Sequence, residues 1–108
     1  MQTTQLLKKT FDQVIDLNEI VGRRGLILDV REEAEFTFGH IEGAKSIPLN
    51  ELSTRLNELD AEQEIYVICH TGKRSDLAAQ KLASYGFTKV FNVVPGMTAW
   101  TGELKKII

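Results

Sequence analysis

The sequence predicts an α/β domain built on a mostly parallel, five-stranded sheet flanked by helices on both faces. Three observations carry this. Short apolar runs, several of them rich in β-branched residues, alternate along the chain with stretches of helical period. The chain has 108 residues, the length of one ordinary domain, and residues 1–108 read as a single unit able to bury its own core. It contains one cysteine, so no internal disulfide supports the fold.

The elements follow in order. "FDQVI" reads as a strand and "LNEIVG" as a short helix. "GLILDV" (Gly25–Val30), set off by "GRRG", reads as a fully buried strand. "REEAEFTFGH" opens with acidic residues that suit a helix N-terminus, and Gly39 can stop it. Its charge run reads as a solvated helix face. A shorter strand falls at Ala44–Ile47, ended by Pro48. "NELSTRLNEL" sets Leu52, Leu56 and Leu59 at helical spacing, with Asn50 as N-cap. "EIYVIC" (Glu64–Cys69) is β-branched and aromatic, a strand. "SDLAAQKLASYG" puts Ala78, Leu82 and Tyr85 on one helical face, and Gly86 is its stop. "KVFNVV" (Lys89–Val94) is a strand closed by Pro95-Gly96, and "MTAWTGELKKII" predicts a final helix.

Composition narrows the function. A formal net charge of -2 argues against nucleic-acid binding driven by positive charge. No apolar run approaches the roughly 20 residues of a membrane span, and "MQTTQLLKKTFDQVIDLNEI" has no leader-like core. A lone free thiol suits a reducing compartment, so a cytoplasmic location is expected. Two histidines and one cysteine make no metal set, and neither a metal nor an organic cofactor is expected.

Ligands of open parallel sheets bind beyond the carboxyl ends of the strands, where Asp29 and Cys69 stand. The loop after the second of these reads Cys69-His70-Thr71-Gly72-Lys73-Arg74-Ser75. A cysteine just before a helix faces unpaired N–H groups and the positive end of the helix dipole, which favour the reactive thiolate. Gly72 permits the tight bend of an anion nest. Lys73 and Arg74 add charge, and Thr71 and Ser75 add hydroxyls. Free cysteine is also among the most buried residue types. The loop alone leaves both readings open: a reactive sulfur, or a small core residue.

A resemblance extends beyond the loop. "CHTGKRS" after an apolar strand resembles the active-site loop of rhodanese-like domains. "LILDVREEAEFTFGHIEGAKSIPLNEL" is similar to the first signature region of that family, and "YGFTKVFNVVPGMTAW" to its closing region. The three stand in the family's order, and the resemblance covers about Phe11 to Trp100. The resemblance implies the rhodanese-like fold and a persulfide on Cys69 as covalent intermediate. It implies sulfane sulfur transfer from a small anionic donor such as thiosulfate to cyanide, a thiol or a protein acceptor. His70, Thr71, Gly72, Lys73, Arg74 and Ser75 would then bind substrate. Asp29 and Arg31 would support the site edge as an ion pair, and His40 would organise its own loop.

His70 stands where thiosulfate-using relatives often carry arginine. Phosphatase relatives place the arginine one residue later, where this chain has Ser75. Four residues between Cys69 and Arg74 make the shorter, sulfurtransferase-type loop. A persulfide relay to a protein partner, a non-catalytic binding module and, further off, a phosphatase remain as alternatives. Trp100 and Met97 read as packing residues. The oligomeric state is not encoded in any of these features.

Overall fold

A computed structural model describes residues 11–107. Residues 1–10, read above for the lack of a leader, lie outside the described residues, as does Ile108 at the end of the expected final helix. Five strands form one sheet: β1 (Val14–Asp16), β2 (Leu26–Asp29), β3 (Lys45–Ser46), β4 (Ile65–Ile68) and β5 (Val90–Val94). Their order is β1-β5-β4-β2-β3, and every pairing is parallel. Two α-helices, α1 (Glu33–Phe38) and α2 (Lys73–Ser84), and several 3-10 turns cover the sheet. This is the α/β architecture the sequence predicts. No helix among the described residues is long and apolar enough to cross a membrane.

Strand alternation sorts the side chains onto two faces. Ile65, Val67 and then Cys69 join Leu28, Val30 and Val90 in one buried cluster with Ala78, Ala79 and Leu82 of α2. Tyr66 and Ile68 join Val93, Ile15, Leu17, Ile20 and Ile41 in the other, with Met97 and Trp100 packed against it. The sulfur therefore faces the α2 side of the sheet. β4 lies between β2 and β5, so the loop that follows it is flanked by the loops that follow both neighbours.

Four expectations are corrected. The segment from Asn50 to Leu59 forms two 3-10 turns, Leu49–Thr54 and Leu56–Glu58, instead of one helix. Pro48, not Asn50, precedes the first turn, and Arg55 leaves helical geometry with φ −122° between them. Arg55 is held there by Glu51 at 2.9 Å and Glu58 at 2.8 Å. Leu52 is fully buried, whereas Leu56 and Leu59 only flank the core.

The helix after the cysteine loop begins at Lys73, earlier than its apolar spacing suggests. Ala78 and Leu82 are buried, but Tyr85 falls at the C-cap and is half exposed. The expected final helix is reduced to a 3-10 turn at Met97–Ala99. The chain then folds back over the indole of Trp100, whose Nε1 donates to the Glu103 carbonyl at 3.1 Å. Lys105 pairs antiparallel with His40 through two backbone bonds of 2.8 and 2.9 Å. Those contacts take the backbone groups a helix would have used internally.

Candidate active site

Cys69 follows β4 directly, and its side chain is fully buried. Gly72 turns the loop with φ +98°, a left-handed conformation that glycine adopts at no steric cost, and forms the N-cap of α2. The turn aims backbone donors back at the sulfur. The Gly72 N–H lies 3.1 Å from Sγ and the Ser75 N–H 3.3 Å. The Ser75 hydroxyl lies 3.3 Å from the same atom. Burial alone pushes the Cys69 thiol up. The Ser75 side chain and the N–H groups of Ser75, Gly72 and Thr71 outweigh it, and the thiol is held below its ordinary value. The sulfur is thus buried like that of a core cysteine and also sits in a nest of donors.

The other expected residues divide into groups. Thr71, Gly72 and Ser75 converge on the sulfur. His70, Thr71 and Lys73 have exposed side chains on the outside of the loop. Arg74 turns away to a bidentate pair with Glu35 of α1, at 2.8 and 3.2 Å. This pair holds the Glu35 carboxyl down at about 2 and raises the Arg74 guanidinium. Glu35 also accepts the Glu32 N–H at 3.0 Å at the start of α1, so it is not a purely solvated face residue. Asp29 and Arg31 form the expected buried ion pair, with Nη2 to Oδ2 at 2.8 Å. Arg31 continues from there to the Gly39 carbonyl at 2.8 Å. His40 stacks on Phe36 with ring centroids 3.8 Å apart and bonds the Phe36 carbonyl through Nδ1.

Two contributors escape a local reading of the loop. Gly96, beyond β5, lies against the cysteine loop. A Cβ there would come within 2.7 Å of the carbonyl oxygens of both Cys69 and His70. The next two N–H groups, of Met97 and Thr98, donate to those same carbonyls at 2.8 and 3.0 Å. Asn92, buried on β5, accepts from the Ser75 hydroxyl and donates to the Gly72 carbonyl. A lone amide in "KVFNVV" is the signal that marks it, because a polar group on a buried strand needs partners. Beside the loop, His70, Met97, Trp100, Phe38 and Leu104 line a cleft of about 370 Å³.

The rhodanese-like domain family matches residues 7–103. The chain belongs to the rhodanese-like family. A putative sulfur carrier protein of Bacillus subtilis, YrkF, is 48% identical over 88% of this chain, which spans only 49% of that relative. The thiosulfate sulfurtransferase GlpE of Shewanella oneidensis is 34% identical over 68% of this chain and 73% of its own length. A crystal structure of a rhodanese-like domain protein from Staphylococcus aureus superposes with a TM-score of 0.80 at 29% identity, covering 89% of this chain and 99% of that one. The family is one of sulfurtransferases and sulfur carriers, and the rhodanese-like fold expected from the sequence is the one observed.

Proposed function

We propose that the protein transfers sulfane sulfur through a persulfide on Cys69. The observation that carries this is the convergence of the Gly72 and Ser75 N–H groups on a sulfur whose acidity is raised. In the first step the Cys69 thiolate attacks the outer sulfur of a donor. With thiosulfate, a new S–S bond forms, the bond to the sulfonate sulfur breaks, and sulfite leaves with the electron pair. The loop N–H groups stabilise the charge left on the persulfide. An acceptor thiolate or cyanide then attacks the outer sulfur and returns Cys69 as thiolate. His70, Thr71 and Lys73, on the exposed side of the loop, are the groups a donor meets first. Arg74 serves this reading chiefly by bracing the loop through Glu35, and its capture there leaves less to hold a phosphoryl group.

The cleft beside His70 favours a second reading of the acceptor. Phe38 is 79% exposed on its wall. A wall beside the cysteine loop that carries apolar side chains together with Arg31, Glu35 and Lys106 suits a protein carrying the acceptor thiol better than it suits cyanide.

Intact-mass measurement tests the proposal. After incubation with thiosulfate, or with a low-molecular-weight persulfide, the protein should gain the mass of one sulfur atom. Cyanide should remove it, and Cys69→Ser should never acquire it. Absence of the adduct with every donor would sink the sulfur-transfer reading.

A further inference from the structure

Asn92 holds a position that fixes where a single proton lies. Its Nδ2 donates to the Gly72 carbonyl at 3.3 Å, so Oδ1 is the atom that faces the Ser75 hydroxyl. Flipping the amide would set Oδ1 against that carbonyl, two acceptors with no proton between them. An amide oxygen cannot donate, so the one proton of Ser75 lies on the bond to Asn92. Only lone pairs remain on Ser75 Oγ to face Sγ at 3.3 Å. A neutral thiol satisfies them by donating. The ordered chain runs from Sγ–H to Oγ–H to Oδ1.

A thiolate breaks this order. Once the Sγ proton has gone to solvent, the lone pairs of Ser75 face a negative sulfur. The hydroxyl can turn its proton to the sulfur only by leaving Asn92, and two oxygens then stand in close contact without one. We propose that Asn92 competes with the Cys69 thiolate for the Ser75 proton, and is thereby a positioning residue that limits how acidic the thiol becomes. The thiolate then rests chiefly on the N–H groups of Gly72 and Ser75, with only a share of the Ser75 hydroxyl. The bond from Asn92 to the Gly72 carbonyl keeps that bend in place, so one side chain both builds the nest and withholds its hydroxyl.

The charged groups around the sulfur are Arg74 with its partner Glu35, the loop residues Lys73 and His70, and the Asp29–Arg31 pair at the end of β2. Substitution at 92 or 75 leaves all of them in the chain. The inference concerns ionisation of the thiol, which is read without any sulfur donor. A failed persulfide assay would therefore leave it standing, and its own failure would leave sulfur transfer standing.

The test is a pH titration of the ultraviolet thiolate absorbance, assignable because the chain has one cysteine. Asn92→Ala frees the hydroxyl but also removes the bond to the Gly72 carbonyl, so it is read against the same substitution in Ser75→Ala. With Ser75 present, its effect on the Cys69 pKa should lie about one unit lower, about tenfold more thiolate at any pH below both values. In a Ser75→Ala background the same substitution should produce no lowering. Ser75→Ala alone should raise the pKa by less than about half a unit, because Asn92 competes for the hydroxyl's proton and the N–H groups carry most of the stabilisation. Two results would overturn the proposal: an Asn92→Ala shift no lower with Ser75 present than without it, or a rise of about half a unit or more in Ser75→Ala. Should Asn92→Ala not fold, Ser75→Ala decides alone.

Discussion

Gly96 shows how one missing methyl group holds the cysteine loop in place. Its φ is +117°, and an added Cβ would meet the Cys69 and His70 carbonyl oxygens at 2.7 Å. Both obstacles are backbone, which cannot swing aside as a long side chain can. Gly96→Ala should therefore push the loop off its neighbour and unseat the Met97 and Thr98 bonds to those carbonyls. The expected cost is roughly 1–3 kcal/mol of stability, with persulfide formation reduced at least in step. Chemical denaturation and the mass assay check it, and an unchanged denaturation midpoint would mean the contact is soft. Gly72 and Gly96 were not equally legible. Gly72 sits inside the motif it serves, so its bend follows from its neighbours. Gly96 reads locally as the end of a strand, because the carbonyls it must clear belong to a loop distant in the chain. Asn92 passes in the sequence as part of the strand "KVFNVV", and no feature of that stretch names the Ser75 hydroxyl as its partner.

Between elements, the Arg74–Glu35 pair ties the start of α2 to α1 across the mouth of the site. The sequence placed both helices and read Glu35 as part of a solvated face, with nothing to name it as the partner of Arg74. Charge pairing across two elements depends on how they pack, which local spacing does not encode. The same limit explains the missing final helix, whose residues are taken up by Trp100 and by the pairing of Lys105 with His40. The Glu35 carboxyl falls from its ordinary 4.5 to about 2 because Arg74 bonds it. A depressed carboxyl pKa stabilises the fold above about pH 4.5, and that contribution is lost as pH falls through about 2. About a third of each side chain is exposed, so screening limits the pair to about 1 kcal/mol or less. Glu35→Gln should lower stability by that amount at neutral pH and by less at about pH 3, where the unfolded chain's carboxyl is protonated while the native one is still mostly ionised. Urea midpoints at the two values check the difference. Equal losses at both would show that packing, not charge, accounts for the effect.

At the scale of the whole molecule, the parallel sheet gathers the site by bringing three strand ends to one edge. β4 is central, with β2 and β5 beside it, so Asp29, Cys69 and Gly96 become neighbours although they lie far apart in the chain. That convergence was legible, because a run of alternating strands and helices leaves few topologies open. The nest keeps its shape only if α2 stays seated on the sheet, since Gly72 and Ser75 belong to its first turn. Leu82 is fully buried in the cluster that seats the helix, while Leu77 on the same helix is 54% exposed. Truncating a buried leucine removes its transfer free energy and leaves a cavity, so Leu82→Ala should cost roughly 2–5 kcal/mol. A domain holds only about 5–15 kcal/mol in total, so this is a large fraction. Leu77→Ala should stay within about 0.5 kcal/mol. If the nest depends on helix seating, Leu82→Ala should also raise the Cys69 pKa as the N–H groups drift from the sulfur, and Leu77→Ala should not. Denaturation midpoints and thiolate titration of the two variants decide it. A fully destabilised Leu82→Ala with an unshifted thiol would place the integrity of the nest in the loop contacts to Gly96 and Asn92 rather than in the helix.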